Sequence, residues 1–498
     1  MKVLKTTMQR LRFVPKMFLL LSVVFLVPLL MLLPFPGERR FAASFLLTSL
    51  AAASAAAAVQ AGYLLTGRRR AGRQKAVVTV MIFWLSTMAL GGLPFLIAGQ
   101  LRPMQALFES VSGWTTTGFT VLADINAAPR IFLFYRGFMQ FCGGLGFVVL
   151  LLLFAGGREA RGFYSAEGHA DMIEPNLMAT ARATMYIYLG MVAGGTLLYI
   201  LFGMNWFEAV NHAMSALGTG GFSPMSENIG AYHRISIEAV TIVLMLLGAT
   251  NFAALALVLK RKWKNFFRLG DIRLFLILLS AFVLLLTFLG VRGVYGSFGE
   301  SFRNSVFMAV SAITTTGYSV DGIQDWSPAM IYLIFILMFI GGASGSTAGG
   351  LKYTRIYILL KAAVHHFRKL FRPERAVQTL TIQGISGKIA ISERAVAQHQ
   401  RVALLYLLTF FAGAFLLTLG GMPIQDAMVD FASSLGTIGI SGGQTGPNSS
   451  GYVLAVQIVG MVLARMEVYI VYVFAAAGTR EVIHSLRRLR KFGRGRAR

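Results

Sequence analysis

Ten apolar segments, each long enough to cross a lipid bilayer, follow one another along this chain. A helix of about 20 apolar residues spans the roughly 30 Å hydrocarbon core of a membrane. Of the 498 residues, 56% are hydrophobic and 13% are charged, whereas about a quarter are charged in a soluble protein. The sequence therefore predicts an all-α integral membrane protein, with spans at about 17–35, 41–66, 75–100, 131–156, 183–204, 236–259, 272–291, 328–360, 402–421 and 452–478.

Basic residues are distributed unequally between the two sides that these spans define. Ten spans place both termini on one side, and 37 of the 46 Lys and Arg residues lie in segments on that side. Because cytoplasmic segments are enriched in Lys and Arg, we expect both termini in the cytoplasm and the chain in the cell inner (cytoplasmic) membrane. The net charge of +26 then requires no nucleic acid as a partner. The basic tail is suited to contact anionic membrane lipid.

A nine-residue pattern occurs four times. The copies read SGWTTTGFT (112–120), SALGTGGFS (215–223), SAITTTGYS (311–319) and SSLGTIGIS (433–441). All four have Ser first, Thr fifth, Gly seventh and Ser or Thr ninth. Four coincidences at four fixed positions indicate a repeated membrane unit.

Each copy has the same neighbours. A span precedes it, followed by an amphipathic stretch of about ten residues, which is too short to cross the bilayer, and a polar turn and another span come after it. We therefore expect two N-terminal transmembrane helices and four helix–pore-loop–helix units around a pseudo-fourfold central pore. The predicted bounds are 1–74 for the N-terminal pair, 75–160, 183–260, 271–363 and 401–479 for units 1 to 4, 364–400 for a cytoplasmic linker and 480–498 for the basic tail.

The loops have a physical use at membrane depth. Irregular backbone is tolerated there only where protein shields it or where it lines a watery cavity. Four loops around one axis could replace the hydration shell of a cation with carbonyl oxygens, and the C-terminal ends of the short helices would favour a cation. Tight turns at helix ends are the alternative, but they would not need the same residue types at four places. The predicted filter residues are Thr116, Thr117, Gly118, Thr219, Gly220, Gly221, Thr315, Thr316, Gly317, Thr437, Ile438 and Gly439.

With these loops, the chain resembles the Trk/Ktr/HKT superfamily of cation-uptake proteins along almost its whole length. Further matching motifs are GGLGF (143–147), LLGATNF (246–252), GGASGSTAGGLK (341–352) and ARME (464–467). The two additional N-terminal helices favour the Trk type, whereas the fourth loop looks more like Ktr. The resemblance implies a potassium-selective pore without an organic cofactor. It also implies a homodimer that binds a cytosolic nucleotide-binding regulatory ring of the TrkA or KtrA type.

A glycine-rich segment interrupts the predicted span 328–360. It is not a nucleotide-binding P-loop, because Leu351 stands where lysine is required. The resemblance assigns it the role of a gate beneath the filter, and close helix packing through small residues is the alternative. The candidate gate residues are Gly341, Gly342, Gly345, Ser346, Thr347, Gly349 and Gly350, together with Arg465.

Arg465 is interpreted as the one basic residue deep in a span. An arginine there is costly unless it faces water or has partners. It would either face the pore as a barrier to cations or bind carbonyl oxygens.

The remaining titratable residues indicate no enzyme and no metal cluster. Cys142 is the only cysteine, so an intramolecular disulfide is excluded. Acidic residues on the outer side would either concentrate cations or be ordinary solvated charges; they are Glu109, Asp124, Glu208, Asp321 and Asp325. The repeats share one topology instead of the inverted one common in symporters. A potassium symporter coupled to sodium or protons, or a sodium-permeable transporter, remains the alternative function.

Overall fold

The computed structural model describes residues 13–66, 73–146, 177–371, 379–385, 387–466 and 472. These residues are mostly helical, which confirms the predicted all-α fold class. The helices are α1 Phe13–Val24, α2 Ala42–Thr66, α3 Arg73–Ile97, α4 Pro103–Trp114, α5 Arg130–Leu145, α6 Leu177–Leu201, α7 Trp206–Leu217, α8 Ile235–Gly248, α9 Phe252–Leu259, α10 Trp263–Arg268, α11 Gly270–Gly293, α12 Phe298–Ile313, α13 Pro328–Ile340, α14 Tyr353–Leu370, α15 Glu393–Leu419, α16 Ile424–Gly436 and α17 Gly451–Arg465, with 3₁₀ helices at Val27–Leu32, Pro36–Phe41 and Asn228–Tyr232.

Among the described residues, six helical segments are long and apolar enough to cross a membrane, or up to seven if one bent pair counts as a span. The six are Phe13–Leu32, Pro36–Leu65, Val78–Ile97, Met178–Leu201, Gly270–Gly293 and Glu393–Leu419. The predicted spans 131–156 and 452–478 begin as α5 and α17 and continue into residues outside the described part. The chain is therefore a multi-pass membrane protein.

Each nine-residue pattern begins in the last turn of a short helix and continues beyond its end. These pore helices, α4, α7, α12 and α16, contain 12, 12, 16 and 13 residues. At 1.5 Å per residue they are about 18–24 Å long, too short to cross the hydrocarbon core. Side-chain caps start two of them: Asn205 accepts from the Phe207 amide of α7, and Ser297 accepts from the Glu300 amide of α12. The units are α3–α5, α6–α8, α11–α13 and α15–α17.

The N-terminal helices pack on unit 1. Aromatic rings of Phe25 and Phe45 contact Tyr135 of α5 at centroid distances of 6.4 and 5.2 Å. The Tyr135 hydroxyl donates to the Gly91 carbonyl of α3 (2.9 Å). Burial of such rings stabilises the packing of the N-terminal pair on the first unit.

The predicted span 236–259 is not one continuous helix. Helix α8 ends at Gly248, α9 begins at Phe252, and the two axes differ by 115°. Asn251 is the cause of the break, because its side-chain oxygen accepts from the Ala253 amide (2.7 Å) and so starts a new helix. Its amide group also donates to the Ser344 carbonyl (2.6 Å), which ties the break to the glycine-rich segment.

The predicted span 328–360 is interrupted by the glycine-rich segment, and its second half, α14, continues to Leu370. The predicted linker 364–400 contains an antiparallel hairpin, β1 Thr381–Gly384 and β2 Gly387–Ala390, in which Ile382 pairs with Ile389. Ser392 caps α15 by accepting from the Ala395 amide. Helix α15 therefore begins nine residues before the predicted span at 402.

Candidate ion filter

The four loops share one backbone conformation. In each, the amide of the sixth residue donates to the carbonyl of the first serine, at 2.9, 2.9, 3.0 and 2.9 Å in units 1 to 4. The amide of the fifth residue donates to the carbonyl of the second, at 3.1 to 3.3 Å. These bonds form the Schellman ending of a helix, in which the fifth residue is left-handed and is usually glycine.

Threonine occupies that left-handed position in every loop. The φ angles of Thr116, Thr219, Thr315 and Thr437 are 60°, 50°, 56° and 54°. For a β-branched residue this conformation is an outlier that costs about 1–2 kcal/mol. The hydroxyls of Thr116 and Thr219 donate to the preceding carbonyl at 2.6 and 2.8 Å. Strain repeated at four equivalent places indicates a functional requirement for the threonine side chain.

The glycines at the seventh position close the four loops into a ring. Gly118, Gly221, Gly317 and Gly439 have φ angles of 93°, 77°, 81° and 89°. A Cβ atom on each glycine would collide with the carbonyl oxygen of the sixth residue of the next loop. The pairs are Gly118 with Gly220, Gly221 with Thr316, Gly317 with Ile438, and Gly439 with Thr117. This cyclic order returns to the first loop, so the loops surround one axis and main-chain oxygens lie at their contacts.

The sixth residues contribute to the ring through their backbone. In loop 1 the Thr117 hydroxyl is bonded to that of Thr115 (2.7 Å), and in loop 3 the Thr316 hydroxyl is bonded to that of Thr314 (2.8 Å). Ile438 is fully buried in loop 4. The sixth-position residues therefore contribute carbonyl oxygens to the ring. The threonine side chains among them bond within their own loops, and the Ile438 side chain packs in the interior.

The sixth residue of loop 2 is Gly220, which has no hydroxyl, and the Gln140 side chain forms the bonds behind this loop instead. Gln140 is not among the predicted site residues. Its amide group donates to the Gly220 carbonyl (2.6 Å). Its oxygen accepts from the Ser215 hydroxyl (2.6 Å) and the Phe222 amide (3.1 Å). The side chain comes from α5 of unit 1, so it holds one loop from the neighbouring unit.

Arg136, one turn before Gln140 on α5, corrects the statement that Arg465 alone lies deep in a span. Its side chain is buried, and it forms an ion pair with Glu109 (2.7 Å). It also donates to the Ser223 carbonyl (3.2 Å) and stacks on Phe222 at 4.0 Å. The sequence signal for this pair of buried polar residues is their spacing: Arg136 and Gln140 are four residues apart, which puts both on one face of an apolar helix.

A cavity of about 220 Å³ lies on the outer side of the ring and includes all four glycines in its wall. Asp321 lines it and accepts from the Asn304 amide group (2.7 Å). Glu109 was expected to be an acid on the outer surface, either concentrating cations or solvated. It is instead fully buried and forms an ion pair with Arg136. Glu208 accepts from the Tyr232 hydroxyl (2.9 Å). Burial and then the Glu208 carboxylate raise the pKa of Tyr232, so this hydroxyl remains a donor.

The glycine-rich segment lies directly beneath the loops. The Gly349 amide donates to the hydroxyl of Thr315 in filter loop 3 (2.9 Å). The Thr347 hydroxyl lies 2.9 Å from the carbonyl of Leu217, the last residue of α7, and 2.8 Å from that of Gly248. A Cβ atom at Gly349 would collide with the Thr437 hydroxyl in loop 4. The segment thus contacts units 2, 3 and 4 at the inner end of the ring.

A smaller cavity of about 60 Å³ lies on the inner side. Thr115, Thr437, Lys352, Arg355 and Arg465 line it together with residues 346–350. The Arg465 guanidinium donates to the Gly143 carbonyl and lies 4.9 Å from the Trp84 ring centre. The Arg465 side chain therefore binds a carbonyl oxygen and also faces the inner cavity, and its role as a barrier to cations stays a prediction. Glu467 of the ARME motif lies outside the described residues.

No group of three or more His, Cys, Asp or Glu side chains that could hold a metal ion occurs in the part of the chain that the structure describes. Any ion held at the ring would therefore be bound by carbonyl and hydroxyl oxygens. Such ligands suit an alkali cation in transit, because binding there is weak enough for release.

Comparison with known proteins gives consistent matches. The model of the TrkH family, described as a cation transport protein, matches residues 45–481. The chain is 32% identical over 414 residues to the Trk system potassium uptake protein TrkG of Escherichia coli, covering 79% of this chain and 82% of that protein. It is 29% identical over 422 residues to the Trk system potassium uptake protein TrkH of Halomonas elongata, covering 82% and 86%. The crystal structure of the potassium transporter TrkH from Vibrio parahaemolyticus superposes with a TM-score of 0.81 at 28% identity, covering 94% of this chain and 98% of that one.

Proposed function

Because this chain belongs to the TrkH family of cation transport proteins, we propose that it takes up potassium through the ring of four loops. The family is one of transporters and not of enzymes. Potassium is the transported ion, and it would be held for a short time by the carbonyl oxygens of the sixth residues and the hydroxyls of the left-handed threonines.

The observation that carries the proposal is the cyclic contact of each filter glycine with a carbonyl of the next loop. Such a ring can offer oxygens in place of water to a dehydrated cation, and its size and dipole strength discriminate between potassium and sodium. The pore helices end at the ring, so the partially negative ends of four helix dipoles add to the attraction. The relatives named as potassium uptake proteins support potassium as the ion.

The glycine-rich segment is proposed as the gate. It contacts three of the four units directly under the ring, and positive φ angles at Gly341, Gly345 and Gly350 give it a path that a helix could not follow. Lys352, Arg355 and Arg465 line the cavity beneath it, so cations leaving the ring meet positive charge until the segment and these residues move.

The setting of the pore is part of the proposal. Both termini, the hairpin 381–390 and the basic segments would lie on the cytoplasmic side of the inner membrane. There the chain would form a homodimer and bind a cytosolic nucleotide-binding regulatory ring that controls the gate. Relatives named as parts of a Trk system support a separate subunit of this kind.

The test is rubidium uptake into proteoliposomes that contain the purified chain, with potassium, sodium and proton gradients varied separately. We expect uptake that follows the rubidium gradient, that potassium inhibits and that sodium inhibits at least about tenfold less effectively, which corresponds to about 1.4 kcal/mol of discrimination. Equal inhibition by sodium would contradict a potassium filter. Uptake that requires a sodium or proton gradient would instead establish the coupled symporter.

A further inference from the structure

The last residues of the filter loops, here called the loop exits, are hydrogen-bonded to the pore helices. The bonds come from the same position in each of the helices concerned. Three residues before the first serine of each loop stand Glu109, His212, Met308 and Asp430. Glu109, His212 and Asp430 are polar, and all three are fully buried. Each of the three is hydrogen-bonded to the hydroxyl of the ninth loop residue of its own unit. We name these bonds the exit ties.

In units 1 and 4 the exit tie is made by a carboxylate that accepts from the ninth and tenth loop residues, and also from Arg136 in the case of Glu109 and from the Thr445 hydroxyl in the case of Asp430. Glu109 accepts from the Thr120 hydroxyl (3.0 Å) and from the Val121 amide (2.9 Å). Asp430 accepts from the Ser441 hydroxyl (3.1 Å) and from the Gly442 amide (2.9 Å). The ninth and tenth residues are thus fixed in the same way in units 1 and 4, which are neighbouring quarters of the ring.

Unit 2 uses a histidine, and the sequence shows why. The His212 Nδ1 atom lies 2.9 Å from the Glu208 carbonyl, which can only accept, so Nδ1 carries the proton. The Nε2 atom is then left to accept from the Ser223 hydroxyl (3.1 Å). The tenth residue here is Pro224, which has no amide proton, so a second acceptor would have no donor.

Unit 3 is the exception. Met308 forms no hydrogen bond with the ninth residue, Ser319, in the described structure. The exit is held one helical turn earlier, where the Asn304 amide group donates to Asp321 (2.7 Å), the eleventh residue. The four quarters are therefore held by two kinds of contact at different distances from the ring.

We infer that the exit ties are positioning elements that set the width of the ring and, through it, the preference among cations. The ring contact is made by the seventh residue, and the tie fixes the ninth, so only one residue separates them. In a ring closed by glycine against carbonyl, a shift of a few tenths of an ångström in one exit changes the oxygen-to-oxygen spacing that a cation meets. This inference rests on the proposed function, because it assigns residues to the selectivity of the same ring.

The ninth-position hydroxyls give a sharp test, because they can be removed singly. Ser441→Ala and Thr120→Val each delete one donor of a tie and change little volume. Ser441→Thr and Thr120→Ser keep the hydroxyl and should preserve the tie. Ser319→Ala is the matched control, since it removes the same hydroxyl at the same position of the unit that has no such tie.

The measurement is the ratio of rubidium uptake to sodium uptake in proteoliposomes, because a ratio does not depend on the amount of folded protein. We expect Ser441→Ala and Thr120→Val to lower it by about tenfold, because the side chain of the ninth residue then no longer bonds to the pore helix. We expect Ser441→Thr, Thr120→Ser and Ser319→Ala to stay within about twofold of the parent chain, the change expected of substitutions that break no such contact.

Two results would overturn the inference. Ratios unchanged in Ser441→Ala and Thr120→Val would show that the ties act on stability alone. A fall in Ser319→Ala as large as that in Ser441→Ala would show that hydroxyls in the outer cavity, and not the ties, affect selectivity. If the parent chain itself shows no preference for rubidium, the proposed function fails, and that outcome is separate from both.

Discussion

At the scale of single residues, the proposed filter has threonine at four positions where glycine would be less strained. The left-handed threonines cost about 1–2 kcal/mol each relative to their ordinary conformations. Thr315 shows what the side chain provides, since its hydroxyl accepts from the Gly349 amide beneath the ring. The same atom therefore lies at the filter and at the proposed gate. Glycine at this position would relieve the strain but would leave that amide without its acceptor.

The first prediction concerns Gly118. In Gly118→Ser the new Cβ would collide with the Gly220 carbonyl, and the residue would also keep a φ angle of 93° that side chains avoid. We expect the ring to widen and the ratio of rubidium to sodium uptake to fall at least about tenfold, for a loss of about 1.4 kcal/mol of discrimination. The control is Gly190→Ser on α6, where a Cβ atom meets nothing within 4 Å.

An unchanged uptake ratio in Gly118→Ser would count against the ring as the filter. A fall in both Gly118→Ser and Gly190→Ser would indicate a general effect on folding or insertion. The same experiment on Gly439→Ser, which faces the Thr117 carbonyl, asks whether the ring closes on itself as the geometry requires.

At this scale the sequence predicts which repeated residues belong together, and the structure brings them into one ring, but residues that do not repeat were not predicted. The threonines and glycines of the ring were predicted because each occurs four times at one position. Arg136, Gln140 and the buried state of Glu109 were not, because each depends on a partner that only the folded chain brings close. Gln140, for example, lies 80 residues from its partner Gly220. No local pattern encodes which loop a side chain from another unit will reach.

At the scale of elements, the glycine-rich segment is held by contacts that leave no space for larger residues. The Gly349 position meets the Thr437 hydroxyl and the Gly436 carbonyl. Gly349 itself does not have a positive φ angle, so only space excludes a side chain there. A substitution at Gly349 would therefore displace the segment by steric contact and would add no strain from an unfavourable φ angle.

The second prediction is that Gly349→Ala displaces the segment and favours the open pore. Overpacking costs about 1–3 kcal/mol, which raises the ratio of open to closed molecules roughly 5- to 150-fold. Rubidium uptake under conditions that keep the parent chain closed should therefore rise, with its ratio to sodium uptake unchanged. Gly293→Ala on α11, where a Cβ meets nothing within 4 Å, is the control. A changed ion ratio without a change in uptake would contradict a gating role.

The third prediction concerns Thr347→Val, a substitution that removes a hydrogen bond of the segment, whereas Gly349→Ala adds an atom. Thr347→Val loses the hydroxyl that contacts the Leu217 and Gly248 carbonyls; the Gly248 carbonyl keeps the Thr347 amide as a donor (3.2 Å), and loss of the donor to the Leu217 carbonyl costs about 1–3 kcal/mol. We expect higher basal uptake than in the parent chain, measured by rubidium flux. Thr347→Ser retains the hydroxyl and should behave as the parent chain does. Lower uptake in Thr347→Val would mean that these contacts hold the open form.

The interruption of the helix by glycines was predictable, whereas the break in α8–α9 was not. Ten residues no larger than threonine cannot be mistaken for an ordinary span. The sequence LLGATNF, in contrast, contains one glycine and three small or polar residues, a combination that many continuous membrane helices carry. Asn251 caps the new helix α9 through its side-chain oxygen, and its amide group donates to the Ser344 carbonyl, a contact that spans 93 residues.

At the scale of the whole molecule, the distribution of basic residues predicts which parts face the cytoplasm. Lys388 in the hairpin and Gln444 after filter loop 4 are both exposed, and the topology places them on opposite sides. The native chain offers a clean background for labelling, because its only cysteine, Cys142, is buried.

The fourth prediction is that a membrane-impermeant maleimide added to intact cells labels Gln444→Cys but not Lys388→Cys. Permeabilised cells should show labelling of both, and the parent chain should show none in either case. Labelling of Lys388→Cys in intact cells would reverse the proposed orientation. The assay reports orientation alone and leaves the identity of the ion to the uptake experiments.

The ring is assembled from four quarters that one chain encodes separately. In a pore made from four identical subunits, any substitution appears four times and its effect is multiplied. Here a substitution alters one quarter and leaves the other three intact, as the exchange of Thr117 and Thr316 for Gly220 and Ile438 at the equivalent positions already illustrates. Natural variation can therefore tune the permeation of such a chain in small increments, and each quarter can specialise for a different task while the pore as a whole continues to conduct.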